Sequence, residues 1–450
     1  MILRREQMIK VPKEVTKVMK TLTDAGFDNY AVGECVINSL VGEKTYAWDI
    51  ATPAGFADLR QAFPGAGVLS EKYSVLRMEL VDEVCDERGE LLGEEGMIID
   101  ISTYRTQNAG AAVEATEGLF TDKLEADLAR RDFTVDAIAV NPYVSVNSVV
   151  DPYGGREDIR KKLVRTIGDA DKAFKEEPLR MIKAVRYAAQ FGFDLSKSVY
   201  EAIVANYRLL ENVRAEKLRD EFSEIMGAAH AGKGLNMLMD TGIIRVILGE
   251  KEYSRLTHRE KSDLMQLCEG IEKTKPIAER RLGLFYSLIG KKRALPSIER
   301  LHFDEETHQH LVDAVYDMAK LYFTAQPQDL KKFIFERSMD RYEYLLNIEK
   351  AQRLALGYDS ETKIRSKIYM LGEIKKNGEA IFVEDLAVDA NDLIEAGICT
   401  RENAEKMLVM LAESTHVRPK QNTREELLKL AKKYKRNKIS AWGRGVSWLR

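Results

Sequence analysis

The chain has 450 residues, of which 45% are hydrophobic and 31% charged, and its formal net charge is -3. That length exceeds a single core of usual size and points to roughly three domains at about 150 residues each. The composition is that of a soluble globular protein, and the near-neutral balance excludes a globally basic nucleic-acid binder, so any RNA contact has to be a local patch.

The elements read in chain order as follows. Val15, Val18, Leu22 and Ala25 follow Pro12 at helical spacing and predict a helix that ends near Gly26. YAV at 30–32 then predicts a strand, followed by a turn at Gly33 and a short amphipathic helix. DIAT at 49–52 and segments 74–82 and 97–104 give further strands, so the first 150 residues read as α+β. From Arg156 onward strand signals nearly vanish, and segments such as PLRMIKAVRYAAQ, AEKLRDEFSEIM and REELLKLAKKYK carry helical periodicity. Breaks are expected around Gly154 and Gly155, at Gly249, and at Asn377 and Gly378. Four scattered cysteines, Cys35, Cys85, Cys268 and Cys399, show no CxxC pairing and no ligand spacing to the six histidines, and read as reduced thiols. No apolar run reaches the ~18 residues of a membrane span, and the N-terminus lacks the apolar core of a signal peptide, so the expected compartment is the cytoplasm.

Residues 420–450 hold ten Lys or Arg against Glu425 and Glu426. Lys432, Lys433, Lys435 and Arg436 stand at their centre. Clustered cations of this kind gain affinity for RNA by releasing condensed counterions, though a solvated C-terminal helix has the same composition.

Four ordered segments carry more specific information. They are VGECVINSLVG at 32–42 with WDIAT at 48–52; IDISTYR at 99–105; RRDFTVDAIAVN at 130–141 leading into VDPYGGREDI at 150–159; and EEPLRMIKAVRYAAQFGF at 176–193. Together they resemble the class II CCA-adding enzymes and bacterial poly(A) polymerases, whose segments read VGGCVRDLLLG, DxDIAT, RRDFTINA, DPFGGxEDL and EDPLRxLRAVRFAAxxGF. VEDLAVDANDLIEAGI at 383–398 and NTREELL at 422–428 are similar to that family's C-terminal RNA-binding region, whereas 240–375 matches weakly.

The resemblance implies an α+β fold in which a nucleotidyltransferase head of the polymerase β type, with a small mixed sheet, spans residues 1–150. An all-helical neck (151–240), body (241–376) and tail (377–450) are implied to follow it. The implied activity is addition of C and A to tRNA 3′ ends from CTP and ATP with Mg²⁺, the partner being the tRNA acceptor arm.

Carried over residue by residue, the family pattern is only partly met. Two ions held about 4 Å apart need paired carboxylates, and Asp residues at i and i+2 of a strand supply them because strand side chains alternate with period two. Asp49 is the second of that pair, but Ala47 stands where the first belongs; Asp100 falls near another acidic position, and with Asp49 makes the candidate metal-binding and catalytic set. In the phosphate loop Gly33 is kept, while Glu34, Ile37 and Asn38 replace residues that favour a triphosphate.

The RRD element, Arg131 and Asp132, is complete and implies contacts to the nucleotide sugar and phosphates. Glu177 and Arg180 occupy the positions that pair with Watson–Crick edges in the family, and Arg180, Lys183 and Arg186 share a helix face. Lys183 stands for a planar Arg, and Asp136 for the usual Asn. On spacing alone the same helix serves equally well as an amphipathic core helix with a solvated basic face. Two functions stay open on the sequence: a tRNA nucleotidyltransferase with depressed activity, or a catalytically inactive RNA-binding relative.

Overall fold

A computed structural model describes Ile9 and residues 11–85, 91–106, 119–142, 149–358 and 361–438. The chain forms two compact units, residues 1–247 and 248–450.

The first unit is built on a seven-stranded sheet. Helix α1 (Lys13–Asp24) buries Val15, Val18 and Leu22 as expected, with Met19 beside them, whereas Ala25 is its exposed C-cap. Strand β1 (Tyr30–Val32) leads through Gly33, at φ +79°, into α2 (Glu34–Val41), which Gly42 closes in the left-handed conformation. Then come β2 (Ala47–Thr52), α3 (Phe56–Ala62), β3 (Gly67–Ser70), β4 (Val75–Cys85), β5 (Leu91–Thr103), α4 (Leu124–Ala129), β6 (Ala139–Val140) and β7 (Val149–Val150). Their order in the sheet is β3-β4-β5-β2-β1-β6-β7. Only β2 with β5 is parallel among these pairings. Trp48, Ile50, Ile99 and Ile101 are buried on one face, so Ala47, Asp49 and Asp100, in the other phase of the alternation, lie on the opposite face.

The helices after the sheet are α5 (Gly155–Lys161), α6 (Ala170–Glu176), α7 (Leu179–Phe191), α8 (Lys197–Asn206), α9 (Ala215–Gly227) and α10 (Ala231–Asp240). Two short strands, β8 (Leu163–Val164) and β9 (Asp194–Leu195), pair in parallel within this stretch. At two residues each they are too brief to leave a period-two signal, which is why the sequence shows none there. α7 packs on α9 and α10, with Gly234 against Ala189. The Asp151 carboxylate accepts the first backbone amides of α5, from Gly155 (2.7 Å) and Arg156 (3.0 Å). A Cβ on Gly155 would lie 2.1 Å from the Thr134 carbonyl oxygen, so the second glycine of the DPYGG segment is a packing requirement. Gly155→Ala is expected to cost about 1–3 kcal/mol, read as a lower urea midpoint at unchanged slope.

The second unit is helical among its described residues. Its longer helices are His258–Gly270, Glu305–Tyr322, Met339–Ala355, Glu361–Lys376, Arg401–Val417 and Arg424–Lys438. Leu393, Ile398, Met407, Leu411, Leu427 and Ala431 form a core near its end. A buried ion cluster lies farther up the chain, where Glu349 accepts from Arg353 (2.9 Å) and from Lys367. All three side chains are at most 6% exposed.

Candidate functional site

The sheet register assembles the first part of the site. Asp49 on β2 is in register with Asp100 on β5, and Asp100 with Arg77 on β4, so the three side chains line one face across adjacent strands. The expected Asp49 and Asp100 pair is therefore brought together, but Asp100 is held by Arg77 through two hydrogen bonds of 2.8 Å, Nε to Oδ1 and Nη2 to Oδ2. That fork-on-fork geometry is the strongest form of ion pair.

Asp49 opens to solvent, yet surrounding protein atoms strip part of its hydration and push its carboxyl up to about 6. Arg131 opposes this rise, while Asp100 and Glu34 add to it. The Gly33 backbone lies over both groups: a side chain there would meet Arg131 Nη1 at 3.3 Å and Asp49 Oδ2 at 3.5 Å. Cys35 beneath is fully buried, its thiol pushed up to about 12 by burial and by Asp49, so it is no nucleophile.

A two-ion centre needs more donors than this. Ala47 lies in the right phase of β2 but brings no oxygen, and Asp100 is committed to a guanidinium. Among the described residues no group of three or more His, Cys, Asp or Glu could hold a metal ion. The residues present do not fit the two-ion clamp that the resemblance implies.

Glu34 behaves differently from its sequence reading as a charge set against phosphate. Its carboxylate accepts from Arg186 Nη1 (3.2 Å) and Gln190 Nε2 (3.1 Å), both on α7. Arg186 also donates to Glu221 on α9 (2.8 Å) and lies over the Tyr187 ring. Glu34 is thus tied from the loop to α7, and Arg186, shared between Glu34 and Glu221, is an internal strut.

The other predicted residues surround a cleft of about 440 Å³, whose lining includes Arg131, Asp132, Glu177 and Lys183. Asp132 accepts from Arg180 Nε and from Lys183 Nζ, each at 2.8 Å, and Arg180 Nε lies 3.5 Å from Glu177. Both cations lower the Asp132 carboxyl against the effect of its burial. One RRD carboxylate therefore fixes two residues of the α7 face, at positions 180 and 183, and joins Glu177 to them through Arg180.

Asp136 is fully embedded beside this network, with Oδ1 accepting from the Phe133 amide (3.2 Å) and Oδ2 from the Tyr187 hydroxyl (3.4 Å). Burial and the neighbouring Asp132 push its carboxyl up to about 7. Its folded value exceeds the unfolded one, so its contribution is fully present below about pH 4 and is lost as pH rises through about 7. Asp136→Asn is expected to stabilise the protein by at least about 1 kcal/mol at pH 8 and by nothing at pH 4, measured by urea denaturation at both pH values.

Sequence reasoning passed over three participants: Arg77, Asp127 and Arg105. Asp127 on α4 is 1% exposed and accepts from Arg130 Nη2 (2.7 Å), Arg131 Nη2 (3.0 Å) and the Arg105 backbone amide (3.0 Å). Its position five residues before the RRD aspartate, on the inner side of a short helix, was the available signal.

The basic tail residues lie in the second unit. Lys432, Lys433, Lys435 and Arg436 are exposed on helix Arg424–Lys438, and Lys435 Nζ donates to the Gly397 carbonyl at 2.8 Å. Arg444 and Arg450 fall outside the described residues.

Comparison with known proteins agrees with this architecture. Residues 29–165 match the poly A polymerase head domain, and residues 192–254 match the probable RNA and SrmB-binding site of polymerase A. The CCA-adding enzyme of Geobacillus stearothermophilus is 32% identical over 232 residues, covering 51% of this chain and 53% of that protein. The chain thus spans about half the length of the curated relatives it matches.

Among solved structures, the Bacillus stearothermophilus CCA-adding enzyme in complex with CTP superposes with a TM-score of 0.73, at 23% identity over 95% of this chain and 98% of that one. The Thermotoga maritima CCA-adding enzyme complexed with tRNA superposes with a TM-score of 0.57, at 17% identity over 94% of this chain and 95% of that one. These structural likenesses are of fold. In sequence, then, the head and the following RNA-binding segment are similar to poly A polymerase and to CCA-adding enzymes, over 51% of this chain in the Geobacillus stearothermophilus relative, and the order of head and helices is that of the same fold.

Proposed function

We propose that this protein binds a nucleotide and the 3′ end of tRNA on a nucleotidyltransferase scaffold, and that nucleotide transfer itself is largely lost. The observation that carries this reading is the state of the carboxylate clamp: Ala47 supplies no ligand, and Asp100 is taken by Arg77. Transition-state charge at the attacking and leaving oxygens then lacks the electrostatic clamp that two-ion chemistry depends on.

Binding is supported separately, by the intact Asp132, Arg180, Lys183 and Glu177 network around the cleft and by the exposed cations of helix Arg424–Lys438. CTP and ATP are the proposed nucleotides, because the related enzymes have been solved in complex with each. The proposed partner is the tRNA acceptor arm, for which the tRNA complex of the Thermotoga maritima enzyme is the precedent. Free thiols at Cys35, Cys268 and Cys399 accord with a reducing compartment, for which we propose the cytoplasm.

The Glu177 and Arg180 pair favours a second reading, an enzyme that still adds C or A slowly to tRNA. Full-length protein is to be tested for tRNA binding and for single-turnover incorporation of labelled CTP and ATP. Binding without incorporation supports the first reading; incorporation that Asp49→Ala abolishes supports the second.

A further inference from the structure

Outside the cleft, the seven-stranded sheet ends in an edge that its own strands only partly cover. β4 is 11 residues long, yet its register with β3 takes in only residues 75–77. β5 has 13 residues, and its register with β2 begins at Ile98. Over residues 78–85 of β4 and 91–97 of β5 the two strands therefore continue beyond the sheet as a two-stranded ribbon, paired with each other alone among the described residues. The outer side of β4 over 78–85 presents backbone N–H and C=O groups that no other described strand takes up.

The sequence of this ribbon is acidic. Residues 79–95 hold eight Asp or Glu, and Arg88 is the one Lys or Arg among them. The register sets Asp82 opposite Glu95 and Glu83 opposite Glu94. Like charges at directly opposed positions disfavour an antiparallel pair, and a two-stranded ribbon is marginal in water without a third strand. The same charge repels a polyanion, and it repels a second copy of the ribbon. Neither RNA nor ribbon-to-ribbon pairing suits the edge, whereas an extended strand rich in Lys and Arg does.

We infer that the outer edge of β4 over residues 78–85 is a docking site for an extended, Lys- and Arg-rich segment of a partner protein, which adds a strand to the ribbon next to β3. Main-chain hydrogen bonds supply affinity in this mode of recognition, and the acids of the ribbon select the charge of the guest. The inference is independent of whether nucleotide transfer survives, since it concerns a different part of the sheet.

The test is anisotropy titration of the full-length protein with a labelled peptide of about eight residues alternating Lys and Val, the length that a strand along 78–85 requires. Controls are a Glu and Val counterpart, and the Lys and Val peptide N-methylated at alternate residues in each of the two phases. All are repeated on a variant combining Asp82→Asn, Glu83→Gln, Glu94→Gln and Glu95→Gln. The Lys and Val peptide is expected to bind at least about 10-fold tighter than the Glu and Val one, and at least about 10-fold more weakly to the neutralised variant. One N-methylated phase is expected to fail, because strand donors alternate in direction. Hydrogen exchange over 78–85 is expected to slow when the peptide is bound. Melting temperature of the variant is expected to hold or rise, since opposed like charges are removed, which separates lost binding from lost folding.

No binding of the Lys and Val peptide, affinity within about 2-fold in the neutralised variant, or undiminished binding of both N-methylated phases overturns the inference. Unchanged exchange over 78–85 with peptide bound does the same. Displacement of the peptide by tRNA would place RNA at this edge and also overturn it. A dimer formed without peptide, and abolished by the same substitutions, overturns the assignment to a separate partner and gives the edge to the cationic C-terminal stretch of a second copy.

Discussion

Ala47→Asp is expected to raise single-turnover incorporation of CTP or ATP into a tRNA lacking its 3′ CCA by about 10²-fold or more over the unaltered protein, the scale at which single groups that stabilise transition-state charge act. Ala47 and Asp49 are exposed on the same face of β2, so a carboxylate at 47 projects beside the existing one without disturbing the buried Trp48 and Ile50 on the other face. The substitution restores a donor set that the present chain lacks, and the gain is expected to require Mg²⁺ or Mn²⁺ and to vanish in Ala47→Asp/Asp49→Ala. Equal rates for the unaltered protein and Ala47→Asp would mean that the clamp at 47 is not what limits transfer, and the reading of a decayed centre would fall.

Glu349→Ala is expected to destabilise the second unit by about 3–5 kcal/mol, because removing one partner of a buried ion cluster leaves the others charged and uncompensated. Glu349 is fully buried and joins Arg353, one turn along its own helix, to Lys367 on helix Glu361–Lys376. Arg353 also lies 4.7 Å from the centre of the Tyr322 ring, and burial holds the Lys367 ammonium below its ordinary range. Urea denaturation followed by far-UV circular dichroism reads the loss. A change under about 0.5 kcal/mol would show that water reaches the cluster and that its ions are not dry. Glu349→Gln is expected to lose less, since the amide oxygen still accepts one of the two donors.

Much of the first unit was legible in sequence because local pattern and family motif agreed there. The α1 stripe, the YAV strand and the α7 helix each follow from spacing, and the observed bounds Lys13–Asp24, Tyr30–Val32 and Leu179–Phe191 differ little from the expected ones. What sequence could not supply was register. Arg77 meets Asp100 only because β4 pairs with β5 at that offset, and nothing in VLRMEL marks which of its residues will face a carboxylate.

The partner of Glu34 was hidden for the same reason: Arg186 lies 152 residues away, and it is shared with Glu221. Asp127 went unnoticed because a short helix offers too few turns for its inward face to stand out. The two strands of two residues within the helical stretch fall below any periodic signal. In the second unit the helices were expected from periodicity, but the pairing of Glu349 with Lys367 depends on how two of them pack.

The tie between Glu34 and Arg186 has a consequence for how such a chain changes over generations. In the families it resembles, glycine stands at position 34, and reinstating that glycine alone would strip Arg186 of one of its two carboxylates and Gln190 of its acceptor. A partly buried guanidinium left with Glu221 alone is less stable than either end state. The loop after β1 and helix α7 are therefore epistatic: a reversal of one must be accompanied by a change in the other. Single-step routes back to an ordinary loop run downhill in stability before they gain anything in activity, which makes the present state a ratchet.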